Sequence, residues 1–372
     1  MLLSITGRPP EDQGIAVIHA ALEAGVTLID TADSYCTDER DFNHNEKLIA
    51  KALRQWRPKP MVATKIGCRR PGGAWTVDSR PETLIHAAHR SLDALGVDCI
   101  DLLQLYSPDV RVPFTESVGA LARLREQGKA KYVGLCNVSV AQIEEARRVT
   151  PIASVQNRWN VNDRRPETEG VLDYCVQNGI AFLAYSPFGG TLGAPSLGTH
   201  GRIAEEARRR RVTPYRLVLA WMLAKCPVAI TIAGARRLES ISDSAAAGNM
   251  QLGPSDIKAI ETALKAAPPQ PIAREPSVPP AARGSAPPAV RTDDAASEDG
   301  ESSAEELEST ESEETSEDES SDESSSEDES SDESGDETSE DSEDTDSEDE
   351  DSSSDDESEE EEDEDSSDSE DD

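Results

Sequence analysis

Seven apolar runs punctuate the first two thirds of the chain, at residues 27–32, 61–67, 101–107, 131–137, 154–159, 181–187 and 228–234. Each has the length of a strand rather than of a helix. Between them, apolar residues recur at helical spacing over 12–24, 45–55, 81–95, 115–126, 140–148, 166–177, 203–211 with 214–223, and 237–247. Asp12 is the expected N-cap of the first helix, Gly25 falls just past its end, and Pro214 suits a first helical turn. A further helix is predicted over 255–266. Strands alternating with helices predict a parallel sheet, and the repeat predicts an α/β fold, a (β/α)8 TIM barrel.

That barrel needs eight strands, and seven are visible. The missing one precedes the first helix, where only residues 1–5 are left to supply it. The first strand is therefore largely truncated. Either the translation start has been placed too late, or the barrel is open where its first and last strands should pair. An open edge would expose unpaired backbone and invite association.

The C-terminal ends of the seven runs carry polar residues: Asp30 and Tyr35, Lys65, Tyr106, Cys136 and Asn137, Gln156, Tyr185 and Ser186, and Arg236 and Arg237. Successive strand ends are where a barrel assembles its active site. Lys65 lies inside an apolar run, and a buried ammonium needs a partner, for which Asp30 is the candidate. A tyrosine serves as general acid when its phenol, ordinarily near pKa ~10, is brought toward neutrality. A nearby ammonium does this by favouring the phenolate, so Lys65 is expected to lower Tyr35. The trio suits protonation of a carbonyl oxygen while hydride arrives at its carbon.

The motifs Gly25-Val-Thr-Leu-Ile-Asp30-Thr-Ala-Asp-Ser-Tyr35, Ala63-Thr-Lys65, Ile100-Asp-Leu-Leu-Gln-Leu-Tyr106, Val133-Gly-Leu-Cys136-Asn137, Val155-Gln156-Asn157, Ala184-Tyr185-Ser-Pro-Phe-Gly-Gly190 and Ile232-Ala-Gly-Ala-Arg-Arg237 follow in order with barrel spacing. Over nearly all of residues 1–265 the chain closely resembles the aldo-keto reductases. The resemblance implies an NAD(P)H-dependent oxidoreductase that reduces aldehydes and ketones, with Tyr35 as proton donor tuned by Lys65 and Asp30. It places Asn137 and Gln156, beside Cys136, on the nicotinamide carboxamide, and Tyr185, followed by Ser186, against the nicotinamide ring. Gly234, Arg236, Arg237, Ser240, Asp243 and Ser244 would line the adenosine phosphate end. An arginine there accommodates a 2′-phosphate, which favours NADPH over NADH without excluding NADH. No G-x-G-x-x-G follows any strand, so a Rossmann site is not the route to the cofactor.

Four departures stand out from the family pattern. Tyr106 replaces a histidine that orients the carbonyl, Cys136 replaces a serine, Ala233 replaces a proline, and the first strand is missing. They support a rival reading, an NADP(H)-binding pseudoenzyme or redox-sensing module. His44 is a conceivable stand-in for the absent histidine. The loops 36–45 and 69–75 are expected to shape substrate choice, with Trp75 and Trp159 as candidate pocket walls. His86 and His89 read as a solvated helix face rather than metal ligands, and no metal site is expected.

Charge divides the chain. The net charge is −40, yet residues from Asp293 onward hold 46 acids and no Lys or Arg. The 30 acids that remain of 76 stand against all 36 bases, a net of +6 for the preceding part. The sequence thus divides into a barrel over 1–267, a Pro-rich linker over 268–292 and a Ser/Asp/Glu-rich acidic tail over 293–372. Such a tail lacks the apolar side chains to offset the entropy of ordering and is expected to be disordered. It suits electrostatic recruitment of a basic protein partner, and its serines suit acidophilic kinases. Six cysteines without metal or disulfide spacing imply buried thiols in a reducing compartment. The N-terminus is too short in apolar residues for a signal peptide, and the apolar stretch 217–235 is broken by Lys225 and Pro227. A cytoplasmic protein acting on a small carbonyl substrate, with no nucleic-acid or membrane partner, is the expectation.

Overall fold

The structure, a computed structural model, describes residues 1–199 and 201–265. The expected linker and acidic tail lie outside the described residues. Seven parallel strands form one sheet in sequence order: β1 Leu28–Asp30, β2 Met61–Ile66, β3 Ile100–Leu105, β4 Ala130–Cys136, β5 Ser154–Arg158, β6 Ala181–Tyr185 and β7 Ala229–Ile232. Helices alternate with them: α1 Glu11–Glu23, α2 His44–Ala52, α3 Pro81–Leu95, α4 Phe114–Glu126, α5 Val140–Arg147, α6 Arg165–Thr168, α7 Val171–Asn178, α8 Gly190–Thr199, α9 Gly201–Arg209, α10 Pro214–Lys225, α11 Leu238–Ala245 and α12 Pro254–Lys265. Each predicted run thus contains a strand, although β1 keeps only three residues of its run.

Local chemistry explains where the expectations shift. α1 begins at Glu11 with Pro10 at its cap, one residue before the expected Asp12, because proline needs no N–H at a helix start. The segment expected as one helix over 166–177 divides into α6 and α7 at Gly170, whose φ of 77° breaks the helical path. α8 and a small antiparallel hairpin, Cys68–Arg69 with Thr76–Val77, were not legible in the sequence. Pro214 and Gly25 take the places predicted for them, at the start of α10 and just beyond α1.

The sheet is an opened (β/α)8 barrel. β1 pairs with β2 and β7 pairs with β6, but among the described residues β1 and β7 do not pair with each other. Residues 1–7 form turns instead of a strand and lie across this seam. Arg236 Nε and Nη2 donate to the Leu2 and Thr6 carbonyls at 3.2 and 3.3 Å. Ser4 Oγ accepts from Asn45 Nδ2 at 2.8 Å and meets His44 Nδ1 at 2.8 Å. Leu2 packs so closely on Gly234 that a Cβ there would meet its Cδ1 at 3.1 Å. A short strap, tied by side chains, lies at the seam between β1 and β7.

The core fills the space between the sheet and its helices with Leu84, Leu103, Leu105, Leu121, Leu135, Val155 and Phe182, all buried. Trp159 belongs to this core and not to a pocket wall. It is fully buried against Phe182 and Trp221, and its Nε1 donates to Glu167 at 2.8 Å. Five of the six cysteines are buried and all are free; Cys99 is exposed. Among the described residues no helix is long and apolar enough to cross a membrane.

Candidate active site

The strand ends converge on a cavity of about 750 Å³. Asp30, Tyr35, Lys65, Tyr106, Cys136, Asn137, Gln156, Tyr185, Ser186, Gly234 and Ser244 all line it. The remaining predicted residues, Arg236, Arg237, Ser240 and Asp243, do not. Arg236 is bound to the N-terminal strap, Arg237 is exposed at the cap of α11, and Asp243 is paired with Arg216 at 2.7 Å. His44, engaged with Ser4, is also absent from the lining.

Lys65 sits at the centre. Its Nζ donates to Asp30 Oδ2 at 2.6 Å and to the Thr31 carbonyl at 2.6 Å, and lies 4.9 Å from the centroid of the Tyr35 ring. The side chains of Lys65 and Asp30 are only 3% and 9% exposed, so the pair satisfies two charges that burial would otherwise forbid. The expected lowering of Tyr35 does not occur. Burial pushes the phenol well above its ordinary value, and the Asp30 carboxylate pushes it further in the same direction. The ammonium is offset by Asp30 at contact distance, which leaves desolvation to dominate. Tyr35 is held as a protonated phenol.

A second ring of contacts crosses the barrel. Gln156 Nε2 donates to Asp30 Oδ1 at 2.8 Å, and Gln104 Nε2 reaches the same oxygen at 3.5 Å. The Cys136 thiol points to Gln104 Oε1 at 3.7 Å. Tyr185 donates its hydroxyl to Asn137 Oδ1 at 2.8 Å, while Asn137 Nδ2 donates to the Tyr106 carbonyl at 2.9 Å. Burial raises Tyr185 to about 12. Asn137 and Ser186 occupy the left-handed region with φ of 60° and 51°, a conformation that turns each strand end abruptly into its loop.

Trp75 supplies the aromatic wall. It stacks on Tyr106 with centroids 6.1 Å apart, meets the Tyr35 ring edge-on at 6.4 Å, and carries the Arg70 guanidinium 3.8 Å above its own ring. Of the two loops expected to shape the pocket, 69–75 contributes through Trp75, and 36–45 contributes no lining residue. Sequence reasoning missed Gln104 and Arg158. Gln104 is a fully buried polar residue inside an apolar run, the same signal that exposed Lys65. Arg158 ends β5 and lines the cavity.

A model of the aldo/keto reductase family matches residues 2–265. The chain belongs to that family. A probable aldo-keto reductase 1 of Glycine max is 32% identical over 282 residues, covering 68% of this chain and 80% of the relative. The glycerol dehydrogenase of Gluconobacter oxydans superposes with a TM-score of 0.62 at 28% identity, covering 72% of this chain and 90% of that one. An aldo-keto reductase from Klebsiella pneumoniae, solved in complex with NADPH, has the same fold (TM-score 0.60, 23% identity, 70% and 86% covered).

Proposed function

We propose that this protein is an NADPH-dependent carbonyl reductase that reduces a small aldehyde or ketone, with Tyr35 protonating the oxygen. The observation that carries the reading is the buried Asp30–Lys65 pair set beneath the Tyr35 ring inside a cavity of cofactor size. The cavity lining is mostly apolar and includes Asp30, Tyr35, Lys65, Asn137 and Gln156, a composition that suits a nicotinamide and a carbonyl. Asn137 and Gln156 would hold the carboxamide, Tyr185 the ring face, and Gly234 and Ser244 the phosphate end. Arg236 is committed to the strap, so Arg237 is the arginine open to a 2′-phosphate. NADPH is favoured by its presence in the Klebsiella relative. When bound, it supplies the hydride.

The protein's own groups manage the proton. Burial keeps the Tyr35 proton in place at neutral pH, available for an oxygen that gains negative charge. Lys65 then steadies the phenolate left behind, and Asp30 fixes the ammonium for that task. Tyr106, also raised by burial, remains a phenol able to donate a hydrogen bond where the family carries histidine. The test is single-turnover oxidation of NADPH with 4-nitrobenzaldehyde. Tyr35→Phe is expected to lower the rate by about 10²–10⁴-fold with NADPH affinity unchanged. An undiminished Tyr35→Phe enzyme would refute the assignment.

The rival reading, a cofactor-binding sensor without turnover, draws on Tyr106 and on the fact that Asn137 and Gln156 are already hydrogen-bonded within the protein. Tyr106→His separates the two. A large gain in rate identifies a disabled site, and no gain identifies Tyr106 as a working part of the pocket. The acidic segment 293–372 is proposed to attract basic partners, an attraction expected to fade as salt rises. Five buried free thiols suit a reducing, cytoplasmic setting.

A further inference from the structure

Among the described residues, two cationic side chains line the cavity, Lys65 and Arg158. They differ in how their charge is met. Lys65 has Asp30 at 2.6 Å. Arg158 has no carboxylate of its own: its nearest, Asp163 Oδ2, lies 3.9 Å from Nε. Asp163 is already held by Arg165, through Nε at 2.8 Å and Nη2 at 2.6 Å. Arg158 Nη2 donates to the Gly189 carbonyl at 3.1 Å, while Nε is closed off from solvent and has no hydrogen-bond partner.

The side chain is 11% exposed, so this guanidinium is largely removed from water with its charge incompletely matched. Such an arrangement is unfavourable alone and favourable once an oxyanion arrives, because a guanidinium fork binds carboxylate or phosphate oxygens through paired N–H groups. Backbone beside it is shaped for close approach. Ser186 has φ of 51°, and Gly189 and Gly190 have φ of 82° and 81°. Ser186 and Gly190 share the cavity lining with Arg158. Tyr185, its neighbour across the β5–β6 pairing, directs its hydroxyl to Asn137.

We propose that Arg158 anchors an anionic oxygen group in this cavity, supplied either by the phosphates of the dinucleotide or by a carboxylate on the carbonyl substrate. The proposal rests on the reductase reading and adds to it a charge that the substrate–cofactor pair must bring.

The experiment compares the full-length chain with Arg158→Gln and Arg158→Lys. NADPH affinity is read by fluorescence titration, and kcat/KM is read for 4-nitrobenzaldehyde and 4-carboxybenzaldehyde at saturating NADPH. If the dinucleotide supplies the anion, Arg158→Gln weakens NADPH binding by about tenfold or more, Arg158→Lys recovers part of it, and the two aldehydes keep their ratio. If the substrate supplies it, NADPH affinity holds and kcat/KM falls by a similar factor for the carboxylated aldehyde alone. Unchanged NADPH affinity together with an unchanged aldehyde ratio overturns the anchor. Turnover of 4-nitrobenzaldehyde by the wild type keeps the reductase reading intact in that event. Thermal unfolding with sodium pyrophosphate or benzoate probes the anchor without turnover. A rise in Tm for the wild type that Arg158→Gln lacks supports it, and equal shifts in both proteins count against it even if neither reduces an aldehyde.

Discussion

Strands β2 to β6 are paired along both edges and bury most of their residues, whereas among the described residues β1 and β7 each lack a neighbour on one edge and are half-buried throughout. The difference bears on the chemistry because Asp30, which fixes Lys65, stands at the end of the poorly supported strand. It is held by side chains from the well-paired wall: Lys65 on β2, Gln104 on β3 and Gln156 on β5. Hydrogen bonds across the barrel interior thus do at Asp30 what ladder pairing does elsewhere. The strap of residues 1–8 covers the seam by a similar device, through Arg236 and Ser4.

The comparison is tested most severely at Asp30. Asp30→Ala leaves a buried ammonium with only the Thr31 carbonyl and is expected to lower stability by about 3–5 kcal/mol in urea unfolding. The double variant Asp30→Leu with Lys65→Met should recover much of that loss, since no charge is left stranded. A mild effect of the single variant would mean that the cross-barrel contacts do not hold the seam strand.

Core truncations sharpen the contrast. Leu103, fully buried on β3, should lose about 2–5 kcal/mol on replacement by Ala. Ile29 on β1 lines the cavity, is only half-buried, and should lose less than half as much. Equal losses would erase the distinction between wall and seam.

Two glycines give a smaller, cleaner version of the test. A Cβ at Gly134 would fall 2.3 Å from Ser154 Oγ and 3.2 Å from the Ser154 carbonyl, inside the paired wall. Gly134→Ala is therefore expected to destabilise by about 1–3 kcal/mol. At Gly234 the neighbour is the Leu2 side chain, which can turn aside, so Gly234→Ala should change stability by less than about 1 kcal/mol. Paired thermal melts measure both.

The smallest effect lies on the outer shell. Glu261 of α12 accepts from Lys225 at 2.7 Å, Arg164 at 3.0 Å and Trp221 at 3.3 Å. Burial alone would raise its carboxyl, but Arg164 and Lys225 outweigh burial and hold it at about 2. A depressed folded-state value means that the pairing stabilises fully above the ordinary glutamate range near pH ~4.5 and is lost as pH falls toward 2. Glu261→Gln should cost on the order of 1 kcal/mol at neutral pH, after allowance for solvent screening, and flatten the acid decline in that window. Parallel acid declines for both proteins would contradict the assignment.

Much of the site was legible because its signals were local. Lys65 interrupts an apolar run, Asp30 and Gln156 end theirs, and all three meet in the cavity as the strand-end pattern predicts. Gln104, a buried polar residue in its own apolar run, obeys the same rule. Arg236, Asp243 and Trp159 fall outside the cavity lining for a common reason. Each side chain is engaged by another partner: the Leu2 carbonyl, Arg216 and Glu167 respectively.

The alternation of apolar runs and helical segments determined by itself a parallel α/β sheet of seven strands, because period and order survive without knowledge of contacts, and the motifs at the strand ends carried the family resemblance. Long-range contacts decided the rest. The tertiary structure set the protonation of Tyr35, since desolvation and the distance to Asp30 exist only in the folded chain. It also decided that Arg236 ties a strap while Arg158 lines the cavity, because a side chain's free valence depends on which partners folding brings within hydrogen-bonding distance.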